Sequence, residues 1–279
     1  YTTVGCHLTR SKEFETHPNG PEAYLADLDA LIAGDKGSGR VVAIGECGLD
    51  YDRLHFSPVE IQKKYFRVRP SVRPMTSFTN SNSQMQLALA KKYHLPLFLH
   101  SRAAHVDFVQ ILKEEGFGEE GGTAVGGRGG VVHSYTGTAA EVAELVCTIS
   151  FKGLGSVCGL KSEENLEGVK AIPIDRLMLE TDTPWCSMRP THASWPHLEN
   201  MPAKLRSIYL PRPVKPEKYK DGSPVAGRDE PAAIGGVAWV MHSLLGLSFE
   251  ALTEQAWKNT VDLFGIELEE ENSSQETPS

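Results

Sequence analysis

The run Val41-Val42-Ala43-Ile44-Gly45-Glu46 is apolar up to its last residue, which is an acid. Three further runs also end in a residue that can bind a metal: Pro96-Leu97-Phe98-Leu99-His100, Gly130-Val131-Val132-His133 and Leu177-Met178-Leu179-Glu180-Thr181-Asp182. Continuous apolar runs of this length are typical of parallel strands buried on both faces. Residues at the carboxyl ends of such strands converge on one site in a (β/α) barrel. The four runs therefore predict a divalent-metal site and favour a metal-dependent hydrolase.

Six predicted strands, separated by helical patterns, indicate the fold class. They cover residues 3–6, 41–46, 96–100, 130–133, 148–152 and 176–180. Strands that alternate with helices form a parallel sheet with right-handed crossovers. A closed barrel needs eight strands, and the chain starts at Tyr1, without a methionine, in a predicted strand. We expect an α/β fold, a TIM-like (β/α)8 barrel, in a fragment that lacks about the first two βα units.

Most of the chain is predicted to form a single barrel domain over residues 1–265. Residues 67–82 have no periodicity and are rich in Pro, Ser, Thr, Asn and Arg, which predicts an atypical surface insertion, a disordered loop or an artefact of the gene model. Residues 186–230 are predicted to be a long irregular loop, and 266–279 a disordered acidic tail. The glycine-rich stretch 116–130 lacks the ending of a phosphate-binding loop and is predicted to be a connector.

Composition restricts the partners and the compartment. The formal net charge of −8 argues against non-specific binding of polyanions, so a nucleic acid would need a local basic patch or a metal. Five cysteines without a CxxC pair favour a reducing intracellular compartment. No apolar run approaches the roughly 18 residues of a membrane span, and no signal peptide is recognised. We expect an intracellular monomer, in the nucleus and/or the cytoplasm, that does not bind membranes.

Glu46, His100, His133 and Asp182 are the predicted metal ligands. A buried glutamate is rare unless paired or metal-bound, although Glu46 could instead accept hydrogen bonds from loop amides. One histidine at a strand end is usually a core residue, but His100 and His133 repeat the arrangement on successive strands. Strand alternation puts Glu180 on the same side as Asp182, so Glu180 is the alternative acid. Carboxylates and imidazoles together suit zinc, manganese or magnesium.

Other polar residues near these strand ends could contact a substrate. His7 ends the first predicted strand and either lines the pocket or lies outside it. Arg102 could bind a phosphate or pair with a neighbouring acid. The Lys/Arg cluster at 204–220 is either a solvated loop or a substrate contact. A divalent cation in such a site generates hydroxide near neutral pH, and two cations about 3.5–4 Å apart suit phosphodiester cleavage.

Seven motifs surround these positions. They are Val4-Gly5-Cys6-His7, Gly45-Glu46-Cys47-Gly48-Leu49-Asp50-Tyr51, Leu97-Phe98-Leu99-His100-Ser101-Arg102, Val131-Val132-His133-Ser134-Tyr135-Thr136-Gly137, Gly159-Leu160-Lys161-Ser162, Leu179-Glu180-Thr181-Asp182-Thr183-Pro184-Trp185-Cys186 and Arg228-Asp229-Glu230-Pro231. Together they span residues 1 to about 265. In this order they resemble the TatD-like metal-dependent deoxyribonucleases, and two of them resemble the eukaryotic branch.

This resemblance implies a TIM-like barrel that hydrolyses DNA phosphodiester bonds, with 3′-to-5′ exonuclease action. It implies two divalent ions, Mg²⁺ first and Mn²⁺ or Zn²⁺ as alternatives, with Glu46 shared between them. Glu46 and Asp182 are then the catalytic residues, and Asp182 helps to deprotonate the attacking water. The implied ligands are Glu46, His100, His133 and Asp182, and the candidate substrate contacts are His7, Arg102 and Tyr135.

Two other functions remain open at this point. One is a barrel amidohydrolase that acts on a small cyclic amide or ester, although no lysine ends a predicted strand to serve as a bridging carbamate. The other is a catalytically inactive, truncated paralogue that binds DNA or protein without cleaving it. An assay for metal-dependent cleavage of DNA distinguishes all three.

Overall fold

A six-stranded parallel sheet forms the centre of the computed structural model, which describes residues 1–35, 37–67, 86–149, 153–156 and 160–267. Its strands are β1 (Thr2–Val4), β2 (Val41–Asp50), β3 (Leu97–Arg102), β4 (Gly130–His133), β5 (Gly153–Ser156) and β6 (Leu177–Leu179). They lie side by side in chain order, and every neighbouring pair is parallel. Sequential parallel strands joined by helices are the arrangement of a TIM-like barrel, so the predicted fold class is confirmed. The absence of about two βα units stays a prediction.

Helices follow most of the strands and cover the sheet. The described helices are α1 (Lys12–Thr16), α2 (Pro21–Asp35), α3 (Val59–Phe66), α4 (Gln86–Tyr93), α5 (His105–Glu114), α6 (Ala139–Ile149), α7 (Glu163–Lys170), α8 (Pro196–Glu199), α9 (Ala203–Tyr209), α10 (Ile234–Leu245) and α11 (Phe249–Phe264). Helices α3 and α4 pack against β2, and α11 packs against β6. The helical patterns expected between the predicted strands are therefore present.

The fifth strand was predicted at the wrong place. Thr148 and Ile149 are the last residues of α6, and the strand follows at Gly153–Ser156. Helix α6 begins at a capping box in which Thr138 N–H donates to Glu141 Oε2 at 2.8 Å. A short apolar run is compatible with either helix or strand, and continuation of the capped helix decides in favour of the helix here.

The stretch 186–230, predicted as one irregular loop, contains two short helices. Helix α8 has Pro196 in its first turn, and Pro202 precedes α9, which are positions that tolerate a missing backbone N–H. Val214 and Val225 form an isolated bridge that closes the loop between them. The predicted insertion 67–82 lies outside the described residues except for Arg67. The predicted tail 266–279 lies outside them except for residues 266 and 267.

The apolar runs that predicted the strands form the core. Ile44, Leu97, Leu99 and Leu177 have no solvent exposure and belong to one cluster of buried side chains. Full burial of one such side chain stabilises the fold by about 1.5–3 kcal/mol relative to exposure. The strands thus place their polar last residues at one edge of a rigid, apolar layer.

Two buried glutamines complete the backbone hydrogen bonding near the strand ends. Gln62, on α3, accepts from Asp50 N–H at 2.7 Å and donates to Asp50 O at 2.9 Å. Gln86, on α4, accepts from Cys6 N–H at 2.6 Å and donates to Cys6 O at 3.2 Å. Each side-chain amide takes the place of a strand partner and anchors the backbone beside the polar edge.

No single helix within the described ranges is long and apolar enough to cross a membrane. The segments Pro231–Leu245 and Phe249–Phe264 meet them together by length and composition, but they are bent by 114° at their break.

Candidate metal centre

Three predicted ligands meet in the carboxyl-terminal halves of β2, β3 and β4. His100 and His133 are direct register partners, and His100 is also the partner of Gly48, two residues after Glu46. One ligand atom from each of Glu46, His100 and His133 lies within 4.8 Å of the other two. Consecutive parallel strands therefore bring together one carboxylate and two imidazoles that are far apart in the sequence. Glu46 and His100 are separated by 54 residues, and His100 and His133 by 33.

Glu46 lies at the centre of this cluster. Its Oε1 is 2.9 Å from His100 Nδ1 and 3.5 Å from both His7 Nε2 and His133 Nε2. Burial disfavours the charged carboxylate, but contacts with His100 and His7 and the charge of His133 outweigh it. The pKa of Glu46 is thereby held far below its usual range, so Glu46 is anionic.

A second carboxylate orients His133. Its Nδ1 lies 3.0 Å from Glu180 Oε2, and Ser134 N–H donates to the other oxygen of Glu180. Glu180 thereby directs the opposite nitrogen, Nε2, towards Glu46, which is how a carboxylate commonly orients a metal-binding histidine. Burial disfavours the imidazolium, but the charges of Glu180, Glu46 and Asp182 raise the pKa of His133 to about 9.

His100 lies between two carboxylates, Glu46 and Asp50. Its Nε2 is 3.3 Å from Asp50 Oδ2, and the side chain of Asp50 is only 1% exposed. Burial opposes the charged form of each residue, yet their contact raises the pKa of His100 and lowers that of Asp50. Neither ring nitrogen of His100, nor Asp50 Oδ2, has a partner with hydrogen-bond geometry among the described residues.

Such buried polar atoms are costly unless another group completes their coordination. A carboxylate beside two imidazoles is a donor set that binds divalent transition metals. Glu46, His100 and His133 therefore fit a divalent cation. Their ligand atoms have suitable spacing, and the ring nitrogens of His100 have no hydrogen-bond partner among the described residues.

His7 borders the cluster. Its Nδ1 accepts from Thr9 N–H at 3.2 Å and lies 2.7 Å from Thr9 Oγ1. Its Nε2 lies 3.5 Å from Glu46 Oε1. His7 is therefore next to the central carboxylate, although it is not one of the three clustered ligands among the described residues.

Asp182 is not part of the three-residue cluster found among the described side chains. It begins the turn in which Trp185 N–H donates to Asp182 O at 2.9 Å, and its φ is +57°. This turn directs Oδ2 to the thiol of Cys186, which donates to it at 3.0 Å. Asp182 still lies near enough to His133 to help raise its pKa. Asp182 as a direct ligand therefore stays a prediction, while Glu180, the alternative acid, contacts His133.

Two predicted substrate contacts have other partners. Arg102 Nη1 lies 3.9 Å from Asp50 Oδ2. Arg102 is thus near a neighbouring acid, as the second of its two predicted roles expects. The side chain of Tyr135 is buried, and its hydroxyl donates to Thr138 O at 2.9 Å. The polar atom of Tyr135 thus faces the start of the following helix, and substrate binding by Tyr135 stays a prediction.

Sequence reasoning named Glu180 only as an alternative to Asp182, and it missed Asp50 as a partner of His100. Strand β2 continues to Asp50, four residues beyond its predicted end. A longer predicted strand, with an acid at each end of Glu46-Cys47-Gly48-Leu49-Asp50, would have pointed to Asp50.

A parallel α/β sheet with a carboxylate–imidazole cluster at its carboxyl edge defines a metal-dependent hydrolase of the TIM-barrel type. Residues 80–265 match the family model described as "TatD related DNase". The chain is 41% identical over 263 residues to "Deoxyribonuclease Tat-D" of Schizosaccharomyces pombe, and this match covers 94% of the chain and 74% of that protein. The chain belongs to the TatD related DNase family.

Two other relatives and a solved structure are also similar to this chain and carry the name TatD. The protein named "Deoxyribonuclease Tat-D" in Saccharomyces cerevisiae is 36% identical, over 80% of this chain and 56% of its own length. The "3'-5' ssDNA/RNA exonuclease TatD" of Erwinia amylovora is 31% identical, over 90% of this chain and 76% of its own length. A crystal structure of a TatD family hydrolase from Entamoeba histolytica superposes with a TM-score of 0.74 at 32% identity, over 94% of this chain and 74% of that one. The chain thus spans little more than half of the Saccharomyces relative.

Proposed function

We propose that this chain is a divalent-metal-dependent deoxyribonuclease whose metal centre is formed by Glu46, His100 and His133. The observation that carries the proposal is the meeting of these three ligand atoms within 4.8 Å at the strand ends. Relatives at 36–41% identity are named deoxyribonucleases, and they share the family of this chain. DNA is accordingly the proposed substrate.

The residues around the cluster have separable roles in this proposal. A bound divalent cation supplies Lewis-acid polarisation of the phosphate and a water of lowered pKa. Glu46, His100 and His133 would hold the cation. His7, whose Nε2 lies 3.5 Å from Glu46, is the proposed contact to a phosphate oxygen. We propose Asp182 as the proton acceptor for the attacking water, because it lies beside His133 without being one of the three clustered ligands.

The donor set bears on the identity of the metal. Mg²⁺ prefers oxygen ligands and retains several waters, whereas imidazole suits zinc and other transition metals. Two imidazoles and one carboxylate therefore favour Mn²⁺ or Zn²⁺ over the Mg²⁺ expected from the sequence. The presence of two ions remains part of the proposal.

The direction of cleavage is proposed to be 3′ to 5′, since the Erwinia relative is named a 3′-5′ exonuclease. A monomeric state and a location in the nucleus and/or the cytoplasm are also retained as proposals from the sequence.

The test uses end-labelled single- and double-stranded DNA with Mg²⁺, Mn²⁺ or Zn²⁺, and with EDTA. We expect cleavage that EDTA abolishes and that Glu46→Gln lowers by about a hundredfold or more, because the central ligand is lost. Glu144→Gln is the matched control, since Glu144 also contacts a histidine, His105, but lies on α6. DNA cleavage that survives both EDTA and Glu46→Gln would reject the proposal.

The same assay separates the alternatives. Opening of a cyclic amide with no cleavage of DNA would identify an amidohydrolase. Binding of DNA without cleavage, in the presence of each metal, would identify an inactive paralogue.

A further inference from the structure

A cavity of about 880 Å³ opens next to the turn that carries Asp182. Its wall begins at Ser187 and Met188, only a few residues beyond Asp182. Asp229, also in the wall, donates its N–H to Pro184 O at 3.0 Å and so ties the far side of the cavity to the same turn. The volume lies within the range of small-molecule sites. The metal centre and the cavity are therefore joined through one short segment.

Aromatic rings form much of the cavity wall. Tyr209 lies flat on helix α10 at Gly235, where an added Cβ would be 2.2 Å from the ring. Trp195 contributes a second, half-buried ring, and Tyr219 is a third with 56% of its surface exposed. Because Gly235 covers one face of Tyr209 with bare backbone, the ring is fixed and available as a flat platform.

The charge of the surrounding segment differs from that of the chain. Residues 186–230 contain eight Lys or Arg and five Asp or Glu, whereas the whole chain has a formal net charge of −8. Two of the cations, Arg206 and Arg228, line the cavity itself, together with two acids, Asp229 and Glu230. The guanidinium of Arg206 donates to Leu198 O, which fixes it against the wall. The side chain of Arg228 is 61% exposed, and its Nε lies 3.2 Å from Glu230 Oε1. The cavity is thus the aromatic part of a segment that has more cations than acids on an otherwise acidic protein, while the charges in its own wall are balanced.

We infer that this cavity binds an unstacked nucleobase of single-stranded DNA whose backbone continues to the metal centre. This inference rests on the proposed nuclease function and extends it to a binding site. Aromatic platforms beside basic side chains are the features that bind single strands, because every base offers a π face and every phosphate a charge. A polyanion is the occupant that a basic segment on an otherwise acidic chain attracts. An intact duplex keeps its bases paired and stacked, and so cannot offer one to the cavity.

Binding is measured without cleavage, by the fluorescence anisotropy of a labelled oligothymidylate in EDTA. Tyr219→Ala should weaken binding about tenfold, because one stacking contact is lost, and Tyr219→Phe should retain wild-type affinity. Arg228→Gln should reduce the slope of log K against log[salt] by about 0.7, as expected for one lost phosphate contact on a single strand. A matched duplex should bind more weakly than the single strand.

The controls are residues of similar exposure that lie elsewhere. Trp257→Ala removes an aromatic ring that is 53% exposed on α11. Arg40→Gln removes a cation that is 74% exposed directly before the first residue of β2. Both should bind like the wild type, and the thermal midpoints of all variants show that they are folded.

The outcomes separate this inference from the proposed function. If the wild type binds the single strand through Tyr219 and Arg228 but cleaves DNA with no metal, the nuclease proposal fails and the cavity assignment stands. If the wild type cleaves DNA while Tyr219→Ala and Arg228→Gln bind like the wild type, the cavity assignment is wrong. Equal affinity for duplex and single strand would overturn the assignment of an unstacked base.

Discussion

His133 Nδ1 lies 3.0 Å from Glu180 Oε2, and this contact turns the other ring nitrogen towards Glu46. Glu180→Gln should keep the shape of the contact but remove its charge. We expect metal affinity to fall about 10–100-fold, as is usual when the carboxylate partner of a metal-binding histidine is changed. Isothermal titration with Mn²⁺ and with Zn²⁺ measures the change.

The chain contains a matched control for this experiment. Glu144 Oε2 contacts His105 Nε2 at 2.9 Å, away from the cluster. Glu144→Gln should leave metal affinity unchanged. Equal losses in the two variants would show that Glu180 has no specific role in orienting His133.

Gln62 is expected to be among the most sensitive polar residues of the fold. It is 1% exposed, and its amide makes hydrogen bonds to Asp50 and to Ser57 O. Gln62→Leu leaves buried backbone groups without partners and should lower the free energy of unfolding by about 2–4 kcal/mol. Urea unfolding measures this change. Gln110→Leu, at an exposed position of α5, should change it by less than about 0.5 kcal/mol.

Gly48 permits the close approach of β2 and β3 beside the metal centre. Its φ is +141°, and an added Cβ would lie 2.0 Å from His100 O. Gly48→Ala should therefore lower the free energy of unfolding by about 3 kcal/mol or more and displace His100. Gly39→Ala is the control for backbone strain alone, since Gly39 has φ +62° and open space around it, and should cost about 1–2 kcal/mol. Equal losses would contradict a steric role for Gly48.

Acid should remove the contribution of Asp107. Lys63 and Tyr51 lower the pKa of Asp107 in the folded protein through contacts of 2.8 and 2.5 Å. The unfolded value is about 3.9, so this stabilisation is complete above that pH and is lost as the pH falls through the folded-state pKa. Asp107→Asn should lower the free energy of unfolding by about 1 kcal/mol at neutral pH.

The difference between the wild type and Asp107→Asn should shrink towards zero in acid, because both side chains are then neutral. Urea unfolding at a series of pH values measures it. A difference that stays constant down to the acid limit would mean that the charge of Asp107 does not contribute.

The sequence predicted the parts of the site that depend on strand periodicity. Glu46, His100 and His133 each end an uninterrupted apolar run, and parallel strands bring such ends together whatever lies between them. The fifth strand was misplaced because Thr148 and Ile149 suit a helix as well as a strand, and only the capped helix before them decides. Asp182 could be placed beside the site, but the direction of its carboxylate depends on a turn whose hydrogen bonds no periodicity reveals.

The cavity was beyond sequence reasoning for a different reason. Its wall comes from residues 187–233, where no regular period exists, and Tyr209 meets Gly235 only because α9 packs on α10. The sequence shows the basic and aromatic composition of this stretch, and leaves open whether those side chains surround a common space.

The position of the three clustered ligands on three neighbouring strands has a consequence for folding. A cation held by Glu46, His100 and His133 would bind only where β2, β3 and β4 are already paired, so its binding energy would count as energy of folding. Metal at a hundred times its dissociation constant would add about 2.7 kcal/mol to the stability of the folded chain. The melting temperature would then report the local metal concentration, and the cell's supply of that ion would help to set how long the protein survives.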